Sequence, residues 1–180
     1  MASFKDTKTA ECLVRAFAGE SQSHMRYTLY SNIARRQGYS YIAEVFMEIA
    51  DSEVEHAKIF YKKLQNNGLG DTEFKVDGFT TYLSISDETK DNLTFALSAE
   101  AGESKEIYPE YANIAEAEGY IEIAEAFRLI ARVEEDHEVR FKYLLDSMTK
   151  CSYFYVNEKL YCKCSNCGFV NENIQAIEKK

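Results

Sequence analysis

With 180 residues, 30 acidic against 21 basic side chains and a net charge of −9, the chain can fill one core and carry a short appendage, and it is too acidic to favour nucleic acid or an anionic membrane surface as a partner. One proline, eight glycines and no tryptophan suit a largely helical protein. The opening MASFKDTKTAECL is too polar for a signal peptide, and no apolar run approaches the ~18 residues of a membrane span, so a cytoplasmic protein is expected.

Apolar spacing predicts a first helix over roughly 8–37, closed at the QGY break by Gly38, and a second over 40–65 with Ile42, Val45, Phe46 and Ile49 on one stripe. The stretch NNGLGDTEFKVDGFTTYLSISDE then has the length and turn content of a crossover. A third helix over roughly 87–118, closed at EGY by Gly119, and a fourth over 120–148 repeat the pattern. YSNIARRQGYSYIAEVFMEIADSEVEHAKIFYKKL, from Tyr30, aligns without a gap with YANIAEAEGYIEIAEAFRLIARVEEDHEVRFKYLL, from Tyr111, at an offset of 81. Such self-similarity signals duplicated supersecondary structure. Short, long and short connections predict an all-α, ferritin-like four-helix bundle over 1–148, followed by a polar segment over 149–180.

Helix two carries Glu53 and His56, and helix four carries Glu134 and His137, each pair three apart and so on one face. Phe46 and Ile49 turn the first pair toward the apolar stripe, as Phe127 and Ile130 do the second. Helices one and three are then expected to add a carboxylate each. Glu20 is the candidate on helix one, and Glu100, Glu103 and Glu106 are the candidates on helix three. Tyr27 follows Glu20 by seven residues, whereas Tyr108 follows Glu100 by eight. A π-bulge between Glu100 and Tyr108 would absorb the extra residue, and Pro109, lacking an N–H, fits a disturbed turn there. Glu100 is therefore taken as the equivalent of Glu20, Glu103 as an additional carboxylate one turn on, and Glu106 as peripheral.

Phe17, Phe46, Phe95 and Phe127 are expected to give these acids an apolar setting. Carboxylates buried there without partners would cost several kcal/mol each. Two divalent cations would remove most of that penalty, and carboxylate with imidazole and no thiolate favours iron or manganese.

AFAGESQSHMRYTLY, EVEHAKIFYKKL, the E-x-x-E before IYPEYANIA, and EEDHEVRF together resemble the rubrerythrin family over about residues 9–148. The resemblance implies a peroxidase with two non-haem iron ions, protecting an anaerobe by reducing hydrogen peroxide to water, with electrons from a rubredoxin or similar NAD(P)H-linked donor, in a homodimer or larger homo-oligomer. It implies that Glu53 and Glu134 bridge the irons, that Glu20 and Glu100 are terminal ligands, and that His137 holds one iron. The other iron would exchange between His56 when reduced and Glu103 when oxidised. Tyr27 and Tyr108 would hydrogen-bond to the ligands, although they serve equally well as packed core tyrosines. A ferritin-like ferroxidase or iron-handling protein would use the same helices, and the extra Glu103 and the tail favour the peroxidase.

The tail YCKCSNCGFV is similar to the first knuckle of the rubredoxin-like domain of that family. A rubredoxin site takes four thiolates, and the second pair would be expected about a dozen residues beyond Cys167. The expectation is a shortened chain whose tail holds no iron of its own and lacks regular structure. Alternatively Cys162, Cys164 and Cys167 offer three thiolates to zinc or iron, with missing ligands supplied from elsewhere. Cys12 and Cys151 read as ordinary small residues.

Overall fold

The computed structural model describes residues 3–76, 84–156, 159–164 and 170–171. After a short 3-10 turn at Phe4–Asp6, helix α1 runs Lys8–Arg36 and α2 runs Ser40–Asn66. The third long helix is built in three parts: α3 at Thr89–Gly102, a π-helical turn at Glu103–Ile107, and α4 at Tyr108–Ala117. Helix α5 runs Ile121–Lys150 and ends the bundle. Among the described residues, no helix is long and apolar enough to cross a membrane.

Local chemistry sets the helix ends. The Thr7 hydroxyl accepts from the Ala10 amide and caps α1. Gly38 and Gly119 adopt φ of 84° and 87°, the left-handed conformation that closes a helix without a Cβ clash. The following amides reach back five residues, Tyr39 to the Ala34 carbonyl at 2.9 Å and Tyr120 to Ala115 at 2.8 Å. Both copies of the hairpin therefore turn by the same device.

The duplicated hairpins also close on one another. Glu118, just past α4, accepts from the Thr9 amide at 2.8 Å and the Thr9 hydroxyl at 2.6 Å. Gln37, just past α1, accepts from the Thr89 amide at 2.9 Å and the Thr89 hydroxyl at 2.5 Å. Each helix that opens a hairpin is thus capped by the turn of the other hairpin.

Two apolar clusters fill the bundle. One gathers Tyr27, Phe46, Ile49, Leu93 and Phe141, and the other gathers Leu13, Phe60, Tyr108, Ile123 and Phe127. Each such side chain contributes about 1.5–3 kcal/mol on full burial. Cys12 is packed in the second cluster, where burial pushes its thiol up to about 12.

The tail departs from the expectation of irregular chain. Strands β1, Cys151–Val156, and β2, Lys159–Cys164, pair antiparallel, and β3, Val170–Asn171, pairs antiparallel to β2. The physical reason lies in the segment's composition: YFYV and KLYC are aromatic and β-branched runs that suit a pleated surface. The register sets Cys151 opposite Cys164 and Cys162 opposite Tyr153. Cys162 and Cys164 are placed on β2 by their backbone, whereas Cys167 lies outside the described residues.

Candidate metal centre

Glu20 on α1, Glu53 and His56 on α2, Glu100 on α3, and Glu134 and His137 on α5 all turn into the bundle and are buried. They form two quartets whose ligand atoms lie within 4.8 Å of one another: Glu20, Glu53, His56 and Glu134 in one, and Glu53, Glu100, Glu134 and His137 in the other. Glu53 and Glu134 belong to both. Each spends its two oxygens on opposite sides. Glu134 Oε1 is 2.8 Å from His56 Nδ1, and its Oε2 is 2.8 Å from His137 Nδ1. Glu53 Oε2 is 3.3 Å from His56 Nδ1, and its Oε1 is 3.3 Å from His137 Nδ1. The terminal carboxylates stand further off, Glu20 Oε1 at 3.9 Å from His56 Nδ1 and Glu100 Oε2 at 3.5 Å from His137 Nδ1.

The third histidine plays no part here. His24 Nδ1 lies 2.9 Å from the Ala50 carbonyl and ties α1 to α2.

Two tyrosines orient the terminal carboxylates. The Tyr27 hydroxyl donates to Glu100 Oε1, and the Tyr108 hydroxyl donates to Glu20 Oε1. Burial, and then the neighbouring carboxylates, hold both phenols well above their usual range, so they remain neutral donors.

The site is left polar beyond what protein groups can satisfy. Glu20 Oε2, Glu53 Oε1, Glu100 Oε2, Glu103 Oε2 and Glu134 Oε1 are buried without a hydrogen-bond partner. Three of these, on Glu53, Glu100 and Glu134, sit at ion-pair distance from an imidazole but lack hydrogen-bond alignment. Five glutamates thus bury an oxygen without a hydrogen bond, a costly arrangement unless cations complete it. A pair of divalent cations fits: each quartet offers three carboxylates and one imidazole nitrogen, the donor set of carboxylate-bridged sites in helical bundles.

The protonation pattern agrees with a site built for positive charge. Burial drives the Glu20, Glu100 and Glu103 carboxyls well above their ordinary range, and nearby carboxylates add to this. Burial also opposes ionisation of Glu53, but His137 and His56 outweigh it and bring Glu53 to about 2. Burial disfavours the imidazolium forms too, yet Glu134 and Glu53 raise His56 to about 9, and Glu100, Glu134 and Glu53 raise His137 to about 12. In the metal-free chain, protons on imidazole supply the positive charge that the glutamates demand.

The π turn sets the spacing of the third helix. Glu100 lies 80 positions after Glu20, and Tyr108 lies 81 after Tyr27. The extra residue is taken up over Glu103–Ile107, so Glu100 and Tyr108 both face the centre. Glu103 is buried but belongs to neither quartet. Glu106 is exposed.

The apolar setting is narrower than expected. Phe46 and Phe127 are fully buried, whereas Phe17 and Phe95 are 36% and 38% exposed. Phe17 leans on Tyr61, and Phe95 lines a cleft between α1 and α3. That cleft, ≈ 430 Å³ in volume, is lined among others by Gly19, Arg26, Gly102, Glu103 and Tyr108. Periodicity did not reveal it, because a helix face can be apolar and still be left uncovered by its neighbour.

Comparison with known proteins agrees with this geometry. A family model described as rubrerythrin matches residues 11–145. Rubrerythrin-1 of Clostridium acetobutylicum is 44% identical over 172 residues, covering 96% of this chain and 87% of its own. A partially reduced structure of nigerythrin superposes with a TM-score of 0.68 at 25% identity, covering 96% of this chain and 82% of its own. A bacterioferritin of Desulfovibrio desulfuricans shares the ferritin-like fold, with a TM-score of 0.67 at 20% identity over 79% of this chain and 80% of its own.

Proposed function

The chain belongs to the rubrerythrin family, and from that premise we propose that it is a non-haem di-iron peroxidase that reduces hydrogen peroxide to water with electrons from a rubredoxin-type donor. The observation that carries this reading is the pair of quartets sharing Glu53 and Glu134, with five buried glutamate oxygens lacking a hydrogen-bond partner. Two ferrous ions held there would supply two electrons, each becoming ferric, which with two protons reduce hydrogen peroxide to two waters.

The protein's task is to hold that pair and to exclude competing chemistry. Glu53 and Glu134, which belong to both quartets, would help to hold both ions, and Glu20 and Glu100 would each hold one. Tyr108 and Tyr27 keep those end carboxylates in place by donating to one oxygen of each, Oε1 of Glu20 and Oε1 of Glu100, and leave the other oxygen free of them. His137 and His56 hold Nδ1 beside the shared carboxylates, and as ligands each would have to give up the imidazolium proton. Glu103, buried beside the quartets but outside them, would offer an ion a carboxylate in place of the His56 imidazole. The carboxylate would suit the more highly charged ferric ion, and the imidazole the ferrous one. Phe46 and Phe141 pack on Tyr27, and Phe60 and Phe127 on Tyr108, so the two tyrosines that hold the carboxylates are shielded from bulk water.

The test is anaerobic reconstitution with ferrous iron, followed by rapid mixing with hydrogen peroxide. Single-turnover oxidation is expected to be fast, and steady-state NADH-linked turnover is expected to depend on added rubredoxin and its reductase. Equal steady-state rates with and without that donor would contradict the donor assignment. Hundreds of irons deposited per assembly would contradict the peroxidase in favour of storage.

A further inference from the structure

Gly19 and Gly102 are unusual helix residues. Glycine in a helix interior is disfavoured against alanine because it has more conformational freedom to lose. Neither position needs that freedom. Gly102 has ordinary helical angles, φ −68° and ψ −43°, and Gly19 lies well inside α1. Nor does a close neighbour demand the missing side chain, since a Cβ at either glycine would meet nothing within 4 Å.

The duplication does not account for them either. At the offset of 80 that aligns Glu20 with Glu100, Gly19 pairs with Ala99 and Gly102 with Gln22. The two glycines are thus not mates. What they share is the cleft between α1 and α3, which both line. Its inner wall includes Glu103, 9% exposed, whose Oε2 is buried without a hydrogen-bond partner. Arg15 and Arg26 also line it; Arg15 is tied to Glu11 at 2.7 Å, whereas Arg26 donates to the neutral Ser23 hydroxyl at 2.8 Å and leaves its charge uncompensated by that bond. A permanently charged guanidinium disfavours a passing cation and tolerates a neutral or anionic molecule.

We propose that this cleft is the passage by which a neutral or anionic molecule of peroxide size reaches the carboxylate cluster, with Gly19 and Gly102 holding it open and Arg26 turning cations away. The proposal rests on the di-iron reading above and specifies how that site is reached.

Two variants, Gly19→Leu and Gly102→Leu, place a good helix former in the open space. Wild type and variants are loaded with Co(II), whose visible absorption reports its coordination, and mixed with azide as a small anionic probe in a stopped-flow instrument. The expected result is unchanged Co(II) stoichiometry and uptake rate, an unchanged or higher Tm, and azide binding slowed by about tenfold or more, the effect of a modest added barrier. Azide binding at the wild-type rate in both loaded variants would overturn the passage. So would a lowered Tm, which would assign the glycines to the backbone, or Co(II) uptake slowed as much as azide binding, which would make the cleft a cation route. Failure of the unsubstituted protein to take up Co(II) would overturn the di-iron reading itself, and the passage with it.

Discussion

Tyr108 donates its hydroxyl proton to Glu20 across 88 positions of sequence, and the pair sits wholly inside the bundle. Tyr27 and Glu100 repeat the relationship on the other side of the centre. Each tyrosine lies on the helix that supplies the opposite carboxylate, so the two bonds lock α1 and the third helix together through the site.

Removing either hydroxyl therefore has an effect that packing alone would not produce. Tyr27→Phe or Tyr108→Phe keeps the ring and leaves a second carboxylate oxygen unpartnered. The expected result is a loss of roughly 1–3 kcal/mol of metal-free stability and a metal affinity lowered by about 10–100-fold. Thermal melts and metal titration read the two separately. A variant with wild-type affinity would reduce the tyrosines to core filler.

The shared carboxylates differ from the terminal ones in kind. Glu53→Ala or Glu134→Ala takes an oxygen from both quartets, whereas Glu20→Ala or Glu100→Ala takes it from one. The first pair is expected to lose both ions together, and the second pair to retain one. Iron counted per chain after gel filtration distinguishes these outcomes. Equal losses in all four variants would rule out a bridging role.

The metal-free chain is expected to weaken on the alkaline side. His56 is raised to about 9 and His137 to about 12, from an ordinary value of 6.5. A group whose folded pKa is raised contributes fully below its unfolded pKa and loses that contribution as pH climbs through the folded one. Stability tied to His56 should thus fall between about pH 6.5 and 9, with that of His137 lost only further up. Glu53, lowered to about 2, acts in the other direction and loses its contribution as pH falls from 4.5 toward that value. Bound metal replaces the imidazole protons, so Tm measured against pH with and without metal should converge under acid, where protons displace the metal, and separate above neutrality. Parallel curves would contradict this.

The π turn is a length requirement. Deleting exposed Lys105 restores an ordinary helical register and rotates one side of the turn by about 100° relative to the other. Either Glu100 or Tyr108 then leaves the centre. Helix content by circular dichroism should hardly change while metal binding is lost. Retained binding of two ions would show that the bulge is incidental.

Much of this arrangement was legible in the sequence because helices report themselves locally. The spacing of Ile42, Val45, Phe46 and Ile49 placed α2, and QGY and EGY placed the left-handed glycines that end α1 and α4. The unequal steps from Glu20 to Tyr27 and from Glu100 to Tyr108 were enough to predict an extra residue, and the structure has a π turn there. The rest depends on what lies across the gap between elements. Phe17 and Phe95 sit at apolar-looking positions, yet the neighbouring helices leave each more than a third exposed. Nothing in the local pattern of Gln37 or Glu118 announces that each caps a threonine in the other hairpin. The strands after Lys150 are short, and a run such as YFYV lacks the apolar–polar alternation by which a half-buried strand reports itself.

The central claim is that this bundle holds two metal ions bridged by Glu53 and Glu134, and an anaerobic ferrous titration followed by low-temperature magnetic spectroscopy tests it most directly. The account predicts a break at two ions per chain and magnetic coupling between them. A chain that retained no iron, or bound a single ion or two uncoupled ones, would contradict it.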